Sequence, residues 1–288
     1  MSEMLIESQT NCSTTMAQEL PEGDLSQTTQ GQIANMQQPV PKQSSSLRNR
    51  SRRTIVTVAT YNEIENLPSL VDEIISFAPD ADILVIDDNS PDGTGNWCDK
   101  RSLLEPRIKC LHRPGKLGLG SATIEAMKYA IEYDYDFMLN MDADFSHHPR
   151  FIPQIRKLME KEGENADVAI GSRYVTGGKI QGWPWFRGVM SQGVNCFAHL
   201  MLGLKTKDCS GAFRCYRTSL LKKIDFSQIR SRGYSFQEEI LWHLKKLKAR
   251  FAETPITFVD RRKGESKINA REALFAIVVI VQLGLRRR

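Results

Sequence analysis

The chain has 288 residues, 41% hydrophobic and 25% charged, with a formal net charge of +5. That is enough apolar sequence for one large α/β domain or two small ones, and it excludes a chain with no core. Six cysteines without a C-x-x-C pair or regular spacing argue against a disulfide framework or a cysteine metal site, and fit reduced, cytosolic thiols.

Residues 1–53 are rich in Ser, Gln, Thr and Asn and nearly free of aromatics. Such a composition is expected to be disordered. Met4-Leu5-Ile6 is too short an apolar run, with acidic rather than basic flanks, so no signal peptide is expected. Arg48-Asn49-Arg50-Ser51-Arg52-Arg53 closes the tail and reads as a solvated linker in preference to a contact for membrane or nucleic acid. Residues 1–53 hold about five acidic and five basic side chains, whereas residues 261–288 hold about eight basic and two acidic ones. A surplus confined to one end points to a local anionic partner, not to nucleic acid, whose binders more often spread charge over a face.

Thr54–Thr60 is β-branched and apolar and reads as a strand ending in Tyr61-Asn62-Glu63. Asn62 is a candidate cap for a helix carrying Leu67, Leu70, Val71, Ile74 and Ile75. Ile83-Leu84-Val85-Ile86 is a continuous apolar run, as expected of a strand covered on both faces. It ends in Asp87-Asp88 and a Ser90-Pro91-Asp92-Gly93 turn. A helix is expected over Gly95–Leu104 and a short strand over Ile108–Arg113. The stretch Pro114–Ser121 is glycine-rich but lacks the Gly-Lys-Ser/Thr ending of a P-loop. Either it lets backbone approach a ligand, the preferred reading, or it serves tight helix–sheet packing. The helix Ala122–Tyr133 follows.

Phe137–Met141 is a buried strand that runs out at Asp142-Ala143-Asp144. Two carboxylates there repel each other unless a hard divalent cation bridges them to a substrate phosphate. A lone D-x-D is more often a solvated turn or a helix cap. Here three successive strand ends carry acidic or polar groups, and in an open α/β sheet ligands bind beyond the carboxyl ends of the strands. Strands alternating with helices argue a mainly parallel sheet.

Further on, the pattern gives a helix over Pro149–Lys161 and a strand over Ala166–Tyr174. A Gly/Trp/Pro-rich loop over 175–187 leads to a helix over Gly188–Met201. A strand over Asp208–Tyr216, a helix from Gly233 to Leu247 and a last strand over Ala252–Val259 complete the body. The run Ala273–Leu285 ahead of Arg286-Arg287-Arg288 has about thirteen apolar-rich residues, too few to span a bilayer. A core-docking helix and a groove-binding helix for a partner protein compete with an interfacial membrane helix. The last, or a membrane-protein partner, is preferred because the run is apolar nearly all round.

Thr60–Glu63, Asp87–Thr94, Asp142–Pro149, Gly171–Tyr174, Gly233–Gln237 and Arg261–Lys267 occur in an order that resembles the family-2 inverting glycosyltransferases with the GT-A fold. Within that family they are similar to the dolichol-phosphate (polyprenol-phosphate) mannose synthase group. The resemblance runs from about Thr54 to Lys267. It implies a single Rossmann-like GT-A domain over 54–267, with a C-terminal membrane-associating helix over 268–288. It also implies roles. Thr60, Tyr61, Glu63 and Asp87 hold the nucleoside. Asp142, Ala143, Asp144 and Lys267 meet the rest of the nucleotide sugar. Asp142, Asp144 and Ser146 hold Mg²⁺ or Mn²⁺, with water completing the shell because a hydroxyl is a poor ligand. His147 and His148 suggest zinc by themselves, but carboxylates and phosphates favour a hard cation. Arg173, Arg187 and Ser191 hold the acceptor phosphate. Asp144, Arg173 and Arg261 carry catalysis, and Ser266 and Lys267 sit on a closing loop.

The implied reaction is transfer of mannose from GDP-mannose to a polyprenyl (dolichyl-type) phosphate at the cytoplasmic face of a membrane. Metal and arginines would neutralise the departing nucleoside diphosphate. A phosphate acceptor, with a second pKa near ~6, needs no strong base. Asp208 and Glu239 are the candidates for a base, with orientation of the sugar hydroxyls or of a loop the preferred role. UDP-glucose as donor is the nearest alternative. A nucleotidyltransferase is disfavoured by Thr-Tyr-Asn-Glu where its basic glycine loop would stand. A non-catalytic sugar-nucleotide- or membrane-binding subunit is disfavoured by the intact D-x-D and Arg261.

Overall fold

The computed structural model describes residues 52–160, 163–260 and 270–285, with side chains of the last segment described from Ile277. The N-terminal tail through Ser51, Arg261, Ser266, Lys267 and Arg286–Arg288 lie outside the described residues.

Strands β1 (Thr54–Thr60), β2 (Asp82–Asp87), β3 (Ile108–His112) and β4 (Phe137–Asp142) pair in parallel in the order β3-β2-β1-β4. Their alternating side chains split between two cores. Ile55, Leu84, Ile86 and Met138 face one, and Val56, Val58, Ile83, Val85, Leu139 and Met141 face the other. Burial on both faces is why these strands read as unbroken apolar runs. Helices α1 (Leu67–Phe77), α2 (Thr94–Leu104) and α3 (Leu119–Glu132) make the crossovers. In α1, Leu67, Leu70, Val71 and Ile74 form the buried stripe, spaced for one helical face. Asn62 does not cap this helix. It adopts φ 60° and donates its backbone N–H to the Ser90 hydroxyl at 3.0 Å, while Asn66 occupies the cap position.

The second half is less regular than the sequence suggests. A 3₁₀ turn (Pro149–Phe151) leads into α4 (Ile152–Leu158), which stops short of Lys161, and β5 (Val168–Ser172) follows. The expected loop at 175–187 contains β6 (Lys179–Gln181) and the first three residues of α5 (Trp185–Leu202). The strand expected from Asp208 begins only at Arg214, as β7 (Arg214–Arg217), because the Asp208 carboxylate and nearby side chains hold the preceding backbone in a loop. This strand lies antiparallel between β4 and β5, the one reversal in the seven-stranded order β3-β2-β1-β4-β7-β5-β8. After the short α6 (Thr218–Leu221) comes α7 (Phe236–Lys246). The expected last strand divides at Pro255 into β8 (Phe251–Pro255) and β9 (Thr257–Val259). Proline cannot donate to a ladder, and β9 pairs instead with β6.

The C-terminal helix α8 (Ala270–Leu285) docks on the body. Val279, Ile280 and Leu283 are buried in the core that also holds Ala198 and Leu202 of α5 and Ile240 and Leu244 of α7. Gly284 sits so close to Met201 that a Cβ there would lie 3.1 Å from its Cε. The run is therefore a core helix on one side, and Ile277, Val278 and Leu285 remain accessible on the other. Ile280→Ala should cost about 2–5 kcal/mol in urea denaturation, against less than about 0.5 kcal/mol for Leu285→Ala at 69% exposure. Equal, small losses would mean that α8 does not dock in solution.

Candidate active site

The parallel register sets Thr60 beside Asp87 and Ala59 beside Asp142, so the loops after β1, β2 and β4 leave the sheet together. The chain reverses its winding between β1 and β4, where such sheets open a ligand crevice. A cleft of about 480 Å³ occupies this position.

The first wall is built by interlocked turns. Asp92 accepts bonds from the Thr94 N–H and hydroxyl (3.0 and 2.6 Å) and from Ile64 N (3.1 Å), and the Thr94 hydroxyl accepts from Glu63 N at 3.1 Å. Asp87 is buried and accepts from the Thr60 hydroxyl (3.2 Å) and from both the N–H and hydroxyl of Ser90 (3.0 and 2.5 Å). It therefore holds the turn, and Asp88 is the carboxylate of this pair that lines the cleft with Thr60, Tyr61 and Glu63. Burial pushes Asp88 up, although Arg113 lies 3.0 Å away. Arg113 also donates to Ser121 (2.6 Å), tying the glycine-rich loop to the end of β2. Gly118 and Gly120 permit a close approach to protein, and Gly118 also lines the cleft. A Cβ on Gly118 would meet the Arg232 carbonyl at 2.4 Å, and one on Gly120 would meet Phe236 Cβ at 2.7 Å. Lys116 of the same loop lies over the Tyr61 ring at 4.8 Å and lines the cleft.

Asp142, Ala143, Asp144, Ser146 and His147 line its centre. Ser146 donates its N–H to Asp144 at 3.1 Å, and its buried hydroxyl has no hydrogen-bond partner among the described residues. Two carboxylates with an unused hydroxyl are an oxygen donor set, which suits Mg²⁺ or Mn²⁺. His147 is a strut. Its ring stacks on Phe213 (5.1 Å), and its Nδ1 accepts from Asp142 N (3.4 Å), with Asp142 Oδ2 3.3 Å away. Burial holds its pKa down to about 4, against the pull of Asp144, so the imidazole is neutral near pH 7.

The remaining wall comes from the end of β5, from α5, from the loop before β7 and from α7. Arg173 and Asp208 form a buried bidentate pair at 2.8 and 2.7 Å, and Arg173 also donates to Ser210 at 2.8 Å. Burial raises the Asp208 carboxyl, but the Arg173 charge and hydrogen bonds hold it below the usual range. Arg187 lies 3.3 Å from Asp260 and 4.3 Å over the Trp183 ring, and Ser191 accepts from the Tyr174 hydroxyl at 2.7 Å. Asn195 joins α5 to this wall, accepting from Cys209 N (2.6 Å) and Ser210 N (3.2 Å). Glu239 accepts from Arg230 N and Ser231 N (3.1 and 2.7 Å), holding the loop against which the glycines pack. Thus Thr60, Tyr61, Glu63, Asp142, Ala143, Asp144, Ser146, Arg173, Arg187 and Ser191 share one cleft, and Asp87 supports it from behind.

Sequence reasoning gave no role to Gln237 and Glu238, both 2% exposed and both lining the cleft. A signal existed. Leu241 stands four residues after Gln237 and Trp242 four after Glu238, which sets both polar residues on the buried side of α7. Burial pushes Glu238 up to about 7, against the pull of its own N–H and of Arg214 and Arg173. The unfolded chain releases that proton near pH ~4.3, so folding retains it between these values. Stability from this group is whole below about pH 4.3 and is lost as pH rises through about 7. Glu238→Gln should remove that slope. In urea titrations its advantage over the wild type should grow across this range and level off at roughly 4 kcal/mol; a constant difference would mean that Glu238 ionises normally.

Strand order, cleft and aspartate pair define a GT-A-like glycosyltransferase fold. The family model described as glycosyl transferase family 2 matches residues 55–225. The chain is 40% identical over 236 residues to undecaprenyl-phosphate mannosyltransferase of Micrococcus luteus, covering 82% of this chain and 96% of that protein. It is also 40% identical over 242 residues to polyprenol monophosphomannose synthase of Mycolicibacterium smegmatis, covering 83% and 89%. The fold is shared with glucosyl-3-phosphoglycerate synthase from Mycobacterium tuberculosis in complex with Mg²⁺ and UDP, with a TM-score of 0.57, 17% identity and coverage of 82% and 79%. The chain belongs to glycosyl transferase family 2 and is a glycosyltransferase.

Proposed function

We propose that the chain transfers mannose from GDP-mannose to a polyprenyl phosphate, with inversion, while peripherally bound to the cytoplasmic face of a membrane. The observation that carries this reading is one cleft that joins an aspartate pair suited to a metal-bound diphosphate with arginines at the foot of an apolar helix surface. Two relatives named for mannosyl transfer to prenyl phosphates support the substrates.

In this reading Thr60, Tyr61, Glu63 and Lys116 bind the nucleoside. Asp142 and Asp144, with Ser146 beside them, would hold Mg²⁺ or Mn²⁺, which supplies positive charge against the diphosphate as it leaves. Arg187 and Ser191 orient the acceptor phosphate, and Arg173 faces the same space from its pair with Asp208. The phosphate is largely dianionic at neutral pH and attacks without a strong base. That agrees with Asp208 and Glu239 being engaged in holding an arginine and a loop. Direct displacement turns an α-linked donor into a β-linked product. Arg261 and Lys267 belong to the proposed site by resemblance alone.

No described helix is long and apolar enough to cross a membrane. At the start of α5, Trp185, Phe186 and Val189 are 81%, 53% and 60% exposed, next to Arg187. Aromatic and aliphatic groups beside a cation suit a lipid interface, and a small membrane-protein partner could add to this contact. Replacing Trp185 and Phe186 together by Ser should cut flotation with anionic vesicles at least ~10-fold and spare GDP binding. Unchanged flotation would remove α5 from the membrane contact.

Transfer itself is tested with radiolabelled GDP-mannose and UDP-glucose, each with polyprenyl phosphate and either Mg²⁺ or EDTA. Label should enter the organic phase from GDP-mannose with metal only, and Asp144→Ala should lower the rate by at least ~10²-fold. Label from UDP-glucose alone would reassign the donor, and none from either would overturn the reading.

A further inference from the structure

The segment Gly233–Gln237 and the residue after it leave four buried side-chain polar atoms unused, the Ser235 hydroxyl and three on residues that line the cleft. Both polar atoms of the Gln237 amide and Oε2 of Glu238 have no hydrogen-bond partner among the described residues. Folded proteins leave few such atoms, and each calls for an explanation. Glu239, equally buried, shows what a purely structural carboxylate does here, since it accepts from two backbone N–H groups. Gln237 and Glu238 line the cleft instead. The helix that carries them is fixed in rotation, because Phe236 packs under Gly120 and Arg214 donates to the Gln237 carbonyl at 2.7 Å.

The charged groups that act on Glu238 are Arg214, Asp208 and Arg173. This is the Arg173 wall of the cleft. Asp208 and Glu238 offset Arg173 and Arg214 at this point, so an anion gains little directly against Glu238 and the acceptor phosphate is left to Arg187 and Ser191. A neutral polyol fits, because an amide both donates and accepts and a carboxyl oxygen accepts from a hydroxyl.

We infer that Gln237 and Glu238 form the subsite for the hydroxyl groups of the transferred sugar, with Glu238 accepting a hydrogen bond from one of them. This rests on the glycosyltransferase donor reading above. These residues then set which hexose is accepted, while the turns after β1 and β2 read the nucleotide. A site built to bond a hydroxyl discriminates sharply against an analogue that lacks it, because its buried group is left without a partner.

The test is calorimetric binding, in saturating Mg²⁺, of the nucleoside diphosphate, the sugar donor and its 2-, 3-, 4- and 6-deoxy analogues. The proteins are wild type, Glu238→Gln, Glu238→Leu and Gln237→Leu. Affinity for the nucleoside diphosphate should stay within about twofold throughout, and the gain from adding the sugar should shrink in the variants. One deoxy analogue should bind wild type roughly 10- to 100-fold more weakly than the donor, and that penalty should vanish in Glu238→Leu. Thermal midpoints of the Glu238 variants should be unchanged or higher, since a buried unpartnered carboxyl is removed. The inference is overturned if every deoxy penalty persists in Glu238→Leu. It is equally overturned if the variants lose the bare nucleoside diphosphate as strongly as the donor. If wild type bound neither GDP- nor UDP-sugars, the donor reading itself would fall first, and that result is separable from the other two.

Discussion

The parallel pairing of β1 with both β2 and β4 is the constraint on which the rest of the structure depends. It fixes Thr60 beside Asp87 and Ala59 beside Asp142, so three loops depart at one edge of the sheet. Slipping either pair by one residue would turn its apolar side chains to the wrong core. The two cores thereby hold the polar strand ends in line. Asp87, accepting from the Thr60 hydroxyl, and Asp92, accepting from Ile64 N, then lock the first two loops together, which leaves Tyr61, Glu63 and Asp88 to face the cleft.

Buried charge is handled in two ways around this cleft. The Arg173–Asp208 pair is saturated by bidentate contact and by the Gly211 N–H, and Arg214 is anchored on two backbone carbonyls. Breaking such pairs is costly because it strands a charge. Glu238 is the counter-example, buried beside the same groups with an oxygen left over. Groups held against the interest of stability gather at functional sites, and here Glu238 lies on the wall of the cleft.

The strand ends were legible because a strand buried on both faces is a continuous apolar run, and acidic residues at its end stand out. The order of those ends also carried the family resemblance. Other features had no local signature. Whether β7 runs parallel or antiparallel depends on its neighbours in space, and four residues cannot announce it. The glycines at 118 and 120 declare a close approach without naming what approaches, which turned out to be Arg232 and Phe236. A helix apolar nearly all round, such as α8, is equally suited to lipid or to protein, and only the grooves of α5 and α7 decide that it docks. Glu238 escaped notice because charged residues in a helix are usually solvated. Its spacing to Trp242 was the clue.

The two-stranded ladder of β6 and β9 has a consequence for how the cleft responds to load. Phe258 of β9 bridges to His147, the strut behind Asp142, while Asp260, just past the strand, meets Arg187 and bonds to Gln181. Three residues of chain thus bear on the aspartate loop at one point and on the arginine of α5 at another. The aspartate loop and Arg187 are hung from a common rail. A shift in the rail displaces both together, so the distance between them is better conserved than the position of either.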